Sequence, residues 1–270
     1  MKPDFWELLS IKEDWIFESV NAGMKAKFLL NPNQRKVLAN NKRIKGLGKG
    51  RDTYIILNGP SLKTQDLSKL KGESTIFVNM GFKHPMYEEL QPEFHVIVDP
   101  KLNTGEWPIT ILDEILEKSP NVSLVLNAKW AQLDKFKPYA ERCPIVWINQ
   151  DLYWNMVYKS DIDITKPING FAVFGTCFNV AVYMGFTNIF FTGFDANGLA
   201  YEIVNQSSHF YGINEDNLTK TSKDFSRDLF MMHRGLRTLN MVGEYCRNKG
   251  INITNLTNGG MLDMFPRREF

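Results

Sequence analysis

Short, almost wholly apolar runs recur along the chain from residue 53, and most close on a polar or turn-forming residue. Residues 54–57, 75–79, 94–98, 122–127, 144–149, 188–192 and 251–256 fit this description. Runs of this length, apolar on both alternating faces, predict buried strands. Residues 111–118 and 128–136 between them have helical character, with Thr110 as a cap for the first. A third helix is expected to begin at Gly175-Thr176, capped by Thr176, and to run to Met184 before Gly185 stops it. Phe225, Leu229, Met232, Leu236, Leu239, Val242 and Cys246 recur in steps of three and four and read as the core stripe of a long helix. Buried strands alternating with helices predict an α/β fold, a mostly parallel sheet covered on both faces.

Residues 1–52 follow another pattern. Phe5, Leu8, Leu9, Trp15, Ile16 and Val20 fall at roughly helical spacing, so an amphipathic helix is expected. A basic tract follows (Lys25, Lys27, Arg35, Lys36, Lys42, Arg43, Lys45, Lys49, Arg51), with no Asp or Glu between Glu18 and Asp52. Aromatic residues followed by basic ones suit peripheral contact of residues 1–50 with an anionic membrane surface at its inner face. A helix packed on the main domain, with a solvated basic linker, explains the same residues and is preferred because such helices are common. Gly46, Gly48 and Gly50 read as a flexible join. The expected organisation is an N-terminal helical and basic extension, 1–52, and a catalytic domain, 53–270, with lid segments at about 151–168 and 196–221.

Composition narrows the function classes. A chain of 270 residues can bury a large core, and a net charge of +2 gives no reason to expect nucleic acid as a partner. Cys143, Cys177 and Cys246 are odd in number and far apart, which fits a reducing cytoplasm rather than a disulfide framework. Charges scattered through the first residues do not form a secretory leader. No apolar run approaches the roughly 20 residues needed to span a bilayer.

The candidate chemistry gathers at the strand ends. After residues 54–57 come Asn58, Gly59, Pro60 and Ser61, where Ser61 can cap a following helical turn. A strand, a tight turn and a helix start leave backbone N–H groups that attract phosphate; an ordinary corner has the same residues. Asn58, Asn79, Asp99, Asn127 and Asn149 close five successive strands. In doubly wound sheets ligands bind beyond those ends, although Asn and Asp are also common turn residues. Residues 151–168, with Tyr153, Trp154 and Tyr158, suit a lid, and contain Asp161 and Asp163 at the spacing of a metal-binding carboxylate pair. Asp195 closes the strand at 188–192. The long polar loop that follows has Tyr201 and then Ser207, Ser208, His209 and Phe210. His209 is the candidate general base. His84 precedes a proline, His95 lies within a strand and His233 on a helix, so they are weaker candidates.

Three segments in this order resemble the bacterial sialyltransferases of glycosyltransferase family 42: NGPSL at 58–62, MGFTNIFFTGFD at 184–195, and Ser208-His209-Phe210. The second is similar to the family's L-G-Y-x-x-I-x-x-x-G-x-D, with Met184 for Leu and Phe186 for Tyr. The resemblance covers about residues 53–260. Gly175-Thr176 and Asn255-Leu256-Thr257 are also similar to a broader group of bacterial surface-polysaccharide and flagellin-glycosylation proteins, related to an archaeal 6-hydroxymethylpterin diphosphokinase. The resemblance implies a Rossmann-like fold and an inverting transfer that needs no metal or other cofactor. The donor would be CMP-sialic acid or a CMP-linked related nonulosonic acid. The acceptor would be a glycan hydroxyl, in the building of a surface polysaccharide such as capsule or lipopolysaccharide. It implies that His209 is the base and Tyr201 holds the leaving phosphate. Asn58, Gly59, Pro60, Ser61, Asn79, Asp99, Gly175, Thr176, Asp195 and Ser208 would bind donor and acceptor. The family's other phosphate-holding tyrosine would fall near Asn197, where none stands; Tyr153, Tyr158 and Tyr211 are the candidates to replace it. The alternatives are a diphosphokinase using Mg²⁺ on Asp99, Asp195 or Asp161 with Asp163, and a non-catalytic nucleotide-binding module. A homo-oligomer fits any of these.

Overall fold

The computed structural model describes residues 4–153, 161–169, 171–204, 206–212 and 221–270. Seven parallel strands form one sheet among these residues: β1 (Asp52–Ile56), β2 (Ser74–Val78), β3 (Phe94–Ile97), β4 (Ser123–Asn127), β5 (Ile145–Ile148), β6 (Asn188–Thr192) and β7 (Asn252–Asn255). Their order is β5-β4-β3-β2-β1-β6-β7. Each matches one predicted run to within two residues at either end. The reason is that every residue of β2, β3 and β5 is buried, so both faces had to be apolar. The fold is α/β and Rossmann-like. β1 is an interior strand, pairing with β2 on one side and with β6 on the other, in a register that sets Asp52 against Asn188.

Helices cover both faces. α7 (Ala172–Met184) and α9 (Ser222–Lys249) pack Phe174, Phe178, Leu239 and Val242 against Ile55 and Val96 on one face. α2 (Pro32–Ala39) and α5 (Ile111–Lys118) pack Leu38, Leu112 and Ile115 against Ile56 and Phe77 on the other. Shorter helices, α3 (Tyr87–Leu90), α4 (Pro100–Thr104), α6 (Lys137–Arg142) and α8 (Gly198–Ile203), occupy the connections.

Several expectations need correction. α7 starts at Ala172, one turn before Gly175-Thr176; Thr176 is buried inside the helix, where its hydroxyl accepts a bond from Gln150 Nε2 at 2.7 Å. Residues 128–136 form two short 3₁₀ turns instead of a helix, and Thr110 makes no side-chain cap on α5. On α9 the predicted stripe is buried only in its second half: Leu239, Val242 and Cys246 are core, whereas Leu229 is exposed. The glycines at 46 and 48 are not a loose join. Their N–H groups donate to the Tyr183 and Met184 carbonyls at 3.3 and 2.8 Å, closing the end of α7. A side chain on Gly48 would sit 2.6 Å from the Phe186 ring.

The N-terminal helix, α1 (Phe5–Leu29), holds to the body through a side that carries Ser10, Asp14 and Asn21 and, near its end, the buried Phe28. Arg234 on α9 is wholly buried and donates to Asp14 at 2.6 Å and Glu13 at 3.1 Å. Asn21 exchanges two bonds with the Tyr153 backbone, at 3.0 and 2.7 Å. A buried guanidinium without a carboxylate would be strongly destabilising, so charge pairing decides which side of α1 faces in. The apolar side, with Trp15 and Ile16, faces out. No helix among the described residues is long and apolar enough to cross a membrane.

Candidate active site

The hydrogen bonding of β1 to β6 continues past the strand ends. Leu57 N–H donates to the Thr192 carbonyl at 2.9 Å and Gly59 N–H to the Gly193 carbonyl at 2.8 Å. The sheet order reverses here, between β1 and β6, the position where open α/β sheets bind ligands. The close approach requires Gly59. A Cβ there would lie 1.8 Å from Asp195 Oδ2 and 2.5 Å from the Gly193 carbonyl, with an ordinary φ of −63°. Gly59→Ala is therefore expected to destabilise the fold by about 1–3 kcal/mol through overpacking alone, read as a lower denaturation midpoint in urea at unchanged slope.

Ser61 does not cap the next turn. It lies in a 3₁₀ helix, Pro60–Thr64, and its hydroxyl donates to Asp195 Oδ2 at 2.9 Å. Burial pushes the Asp195 carboxyl above its usual range, against the opposing effect of the Ser61 bond. Asn58 donates from Nδ2 to the Val78 carbonyl at 3.1 Å, while its buried Oδ1 has no partner. Asn79 Oδ1 is buried and without a partner too. Its backbone is left-handed (φ 46°), and its carbonyl accepts from His95 Nε2 at 2.8 Å. His95 thus serves the site indirectly, as a buried prop.

α7 brings its N-terminus to the same place. Phe171 stands at its N-cap position and supplies no side-chain bond, so the helix's first N–H groups are left without a side-chain cap. The glycine turn after β1 is followed only by a short 3₁₀ helix, whereas α7 is 13 residues long.

The loop after α8 completes the wall. Phe210 N–H donates to the Asn58 carbonyl at 2.9 Å. Ser207 Oγ accepts the His209 N–H at 3.2 Å and donates to the His209 carbonyl at 2.8 Å. The His209 ring lies over Tyr211, with centroids 5.0 Å apart, and its Nδ1 is 3.1 Å from Ser208 Oγ. His209, Ser208, Asn58, Asn79, Asp195 and the first residues of α7 enclose a cavity of about 260 Å³. A second groove of about 440 Å³ adjoins it, sharing Ala172, Phe194, Ala196 and Gly198, and is lined further by Phe171, Met232, Leu236 and Asp228.

Other sequence candidates lie elsewhere. Tyr201 is half-buried on α8, outside the lining of the 260 Å³ cavity. Asp99 caps α4, accepting from Lys101 N–H at 2.9 Å, and with burial, the larger cause, pushes the Tyr211 phenol up to about 12. Gly175 and Thr176 lie within α7. Asp161 pairs with Lys249, and Asp163 with Thr165 and Lys166. Among the described residues no three His, Cys, Asp or Glu side chains gather as a metal site. Tyr153 stacks on Phe17 of α1, and Trp154 and Tyr158 lie outside the described residues.

A parallel sheet with a cavity at its switch point puts the chain in the Rossmann-like α/β class. The chain belongs to the 6-hydroxymethylpterin diphosphokinase MptE-like family, whose model matches residues 25–201. No curated protein matches the sequence. Among solved structures, the MAf glycosyltransferase from Magnetospirillum magneticum AMB-1 is similar in fold, with a TM-score of 0.50 at 14% identity over 87% of this chain. The chain spans 38% of that protein's length. The sialyltransferase CstII from Campylobacter jejuni, in complex with cytidine-5'-monophosphate, gives a TM-score of 0.44 at 16% identity, over 81% of this chain and 85% of its own. The sialyltransferase CST-II in complex with trisaccharide acceptor and CMP gives 0.43 at 16%, over 80% and 85%.

Proposed function

We propose that the chain is an inverting sugar transferase that takes a CMP-activated sialic acid, or a related nonulosonic acid, to a glycan hydroxyl in the building of a surface polysaccharide. The observation that carries this reading is the cavity itself. It combines an anion-accepting helix start, the lining residues Asn58 and Asn79, and an imidazole on the loop above. The asparagine side chains suit ribose hydroxyls and a base amino group. The helix start suits the phosphate.

In this reaction His209 Nε2 takes the proton of the acceptor hydroxyl as its oxygen attacks the anomeric carbon. The bond from that carbon to the phosphate oxygen breaks, and CMP departs with the electron pair. N–H groups at the start of α7 stabilise the departing charge. Ser208, next to Nδ1, orients the ring. No step in this reading uses a metal ion.

A second reading, transfer of pyrophosphate from a nucleoside triphosphate, is favoured by the family's description. It would call on Mg²⁺ and on Asp195, the carboxylate in the cavity. One experiment separates the two: thermal unfolding with CMP, CDP, UDP, GDP and ATP, each with Mg²⁺ or with excess chelator. CMP is expected to stabilise selectively and equally in both conditions, by about 2.7 kcal/mol at a hundredfold excess over Kd. Stabilisation by ATP that vanishes with chelator would replace the first reading with the second.

A further inference from the structure

Helix α1 is mounted with its polar side inward. Ser10, Asp14 and Asn21 are buried, whereas Phe5, Leu8, Leu9, Ile11, Trp15, Ile16 and Val20 are exposed, and Leu29 and Leu30 prolong the apolar stripe. At 100° per residue the two sets occupy opposite halves of the helix. The outward set is exposed by 37–84%. Judged against 150–250 Å² for a large aromatic side chain, it presents on the order of 1,000 Å². The largest apolar patch on a typical monomer is about 300–600 Å², and one side of a stable interface is about 800 Å².

We propose that this stripe is the interface of a homodimer in which α1 of one copy lies antiparallel against α1 of the other. Charge selects the occupant and the direction. From Asp4 to Glu18 the acidic residues are Asp4, Glu7, Glu13, Asp14 and Glu18, with Lys12 the one basic residue; Glu13 and Asp14 are paired with Arg234, and the last turns of α1 carry Lys25 and Lys27. An antiparallel copy brings each acidic half onto a basic end. A parallel copy sets like charges together, and an anionic membrane meets the acidic half unfavourably. The pairing is isologous and closes as a two-fold dimer. Ile16, near the middle of the 25-residue helix, meets its own counterpart, while Leu8 faces the opposite end of the partner helix.

The test uses the full chain and is independent of the transfer reaction. Sedimentation at micromolar concentration is expected to give a dimer. Trp15→Glu combined with Ile16→Glu is expected to raise the dimer Kd by about a hundredfold or more while far-UV circular dichroism stays unchanged, because both side chains are exposed in the protomer. Under oxidised glutathione, Ile16→Cys is expected to cross-link between copies, two thiols giving one disulfide as one glutathione disulfide is reduced to two thiols. Leu8→Cys is expected not to cross-link. The native cysteines are buried and do not compete. A monomer at all concentrations overturns the proposal, as does a monomer that co-sediments with phosphatidylglycerol vesicles. Cross-linking of Leu8→Cys as readily as Ile16→Cys overturns the antiparallel arrangement.

Discussion

His209→Ala is expected to lower the rate of sugar transfer by about 100- to 10,000-fold, the usual worth of a positioned general base, with CMP affinity nearly unchanged. The division follows from where the ring is held. His209 stands on the cavity wall, on a loop fixed by the Phe210–Asn58 and Ser207–His209 bonds. The groups suited to the nucleotide, Asn58, Asn79 and the start of α7, belong to the sheet and its helix and do not depend on the imidazole. Single-turnover release of CMP in the presence of acceptor, set beside CMP binding by calorimetry, measures both quantities. A variant that turns over at the wild-type rate would remove His209 from the reaction; one that loses CMP binding would make it a nucleotide-binding residue.

Acidification is expected to weaken the fold through His95. The ring is fully buried, its Nε2–H donating to the Asn79 carbonyl at 2.8 Å and its Nδ1 accepting from Tyr87 at 2.9 Å. Burial lowers its pKa to about 4. The unfolded chain takes up this proton near pH 6.5, so between those values it binds more protons than the native state and stability rises with pH. The full contribution is present above pH 6.5, and about 3 kcal/mol is lost as the pH falls to 4, at 1.36 kcal/mol per unit. Urea unfolding at pH 7 and pH 5 measures the loss. In His95→Gln the pH-dependent part should shrink by about 2 kcal/mol over that interval. An unchanged pH dependence would mean that the ring titrates alike in the folded and unfolded states. Because His95 holds the left-handed Asn79 backbone, the same variant is also expected to bind nucleotide less well.

The strands were legible because a parallel sheet demands apolar residues on both faces, and little else in a chain produces such runs. Asn58, Asn79, Asp195 and His209 were legible as strand-end and loop residues that the sheet order then brings together. The start of α7 was not, because Gly175-Thr176 imitates a cap while the helix begins at a phenylalanine that caps nothing. Asp99 and Tyr201 carried site-like signals, yet one caps α4 and the other sits on α8 outside the lining of the 260 Å³ cavity. His95 gave no hint of its supporting role, which depends on Asn79 and Tyr87 meeting across the fold. The mounting of α1 was hidden for a different reason. Periodicity shows that a helix has two unlike sides, but which one turns inward depends on Arg234, more than 200 residues away.

The place of β1 in the sheet also governs how the molecule can be made. Its partner β6 is 136 residues later in the chain. At a synthesis rate of about 5–20 residues per second, the ribosome needs roughly 7–27 seconds to deliver it. Until then that edge of β1 lacks its neighbour, and the cavity between the ends of β1 and β6 cannot form.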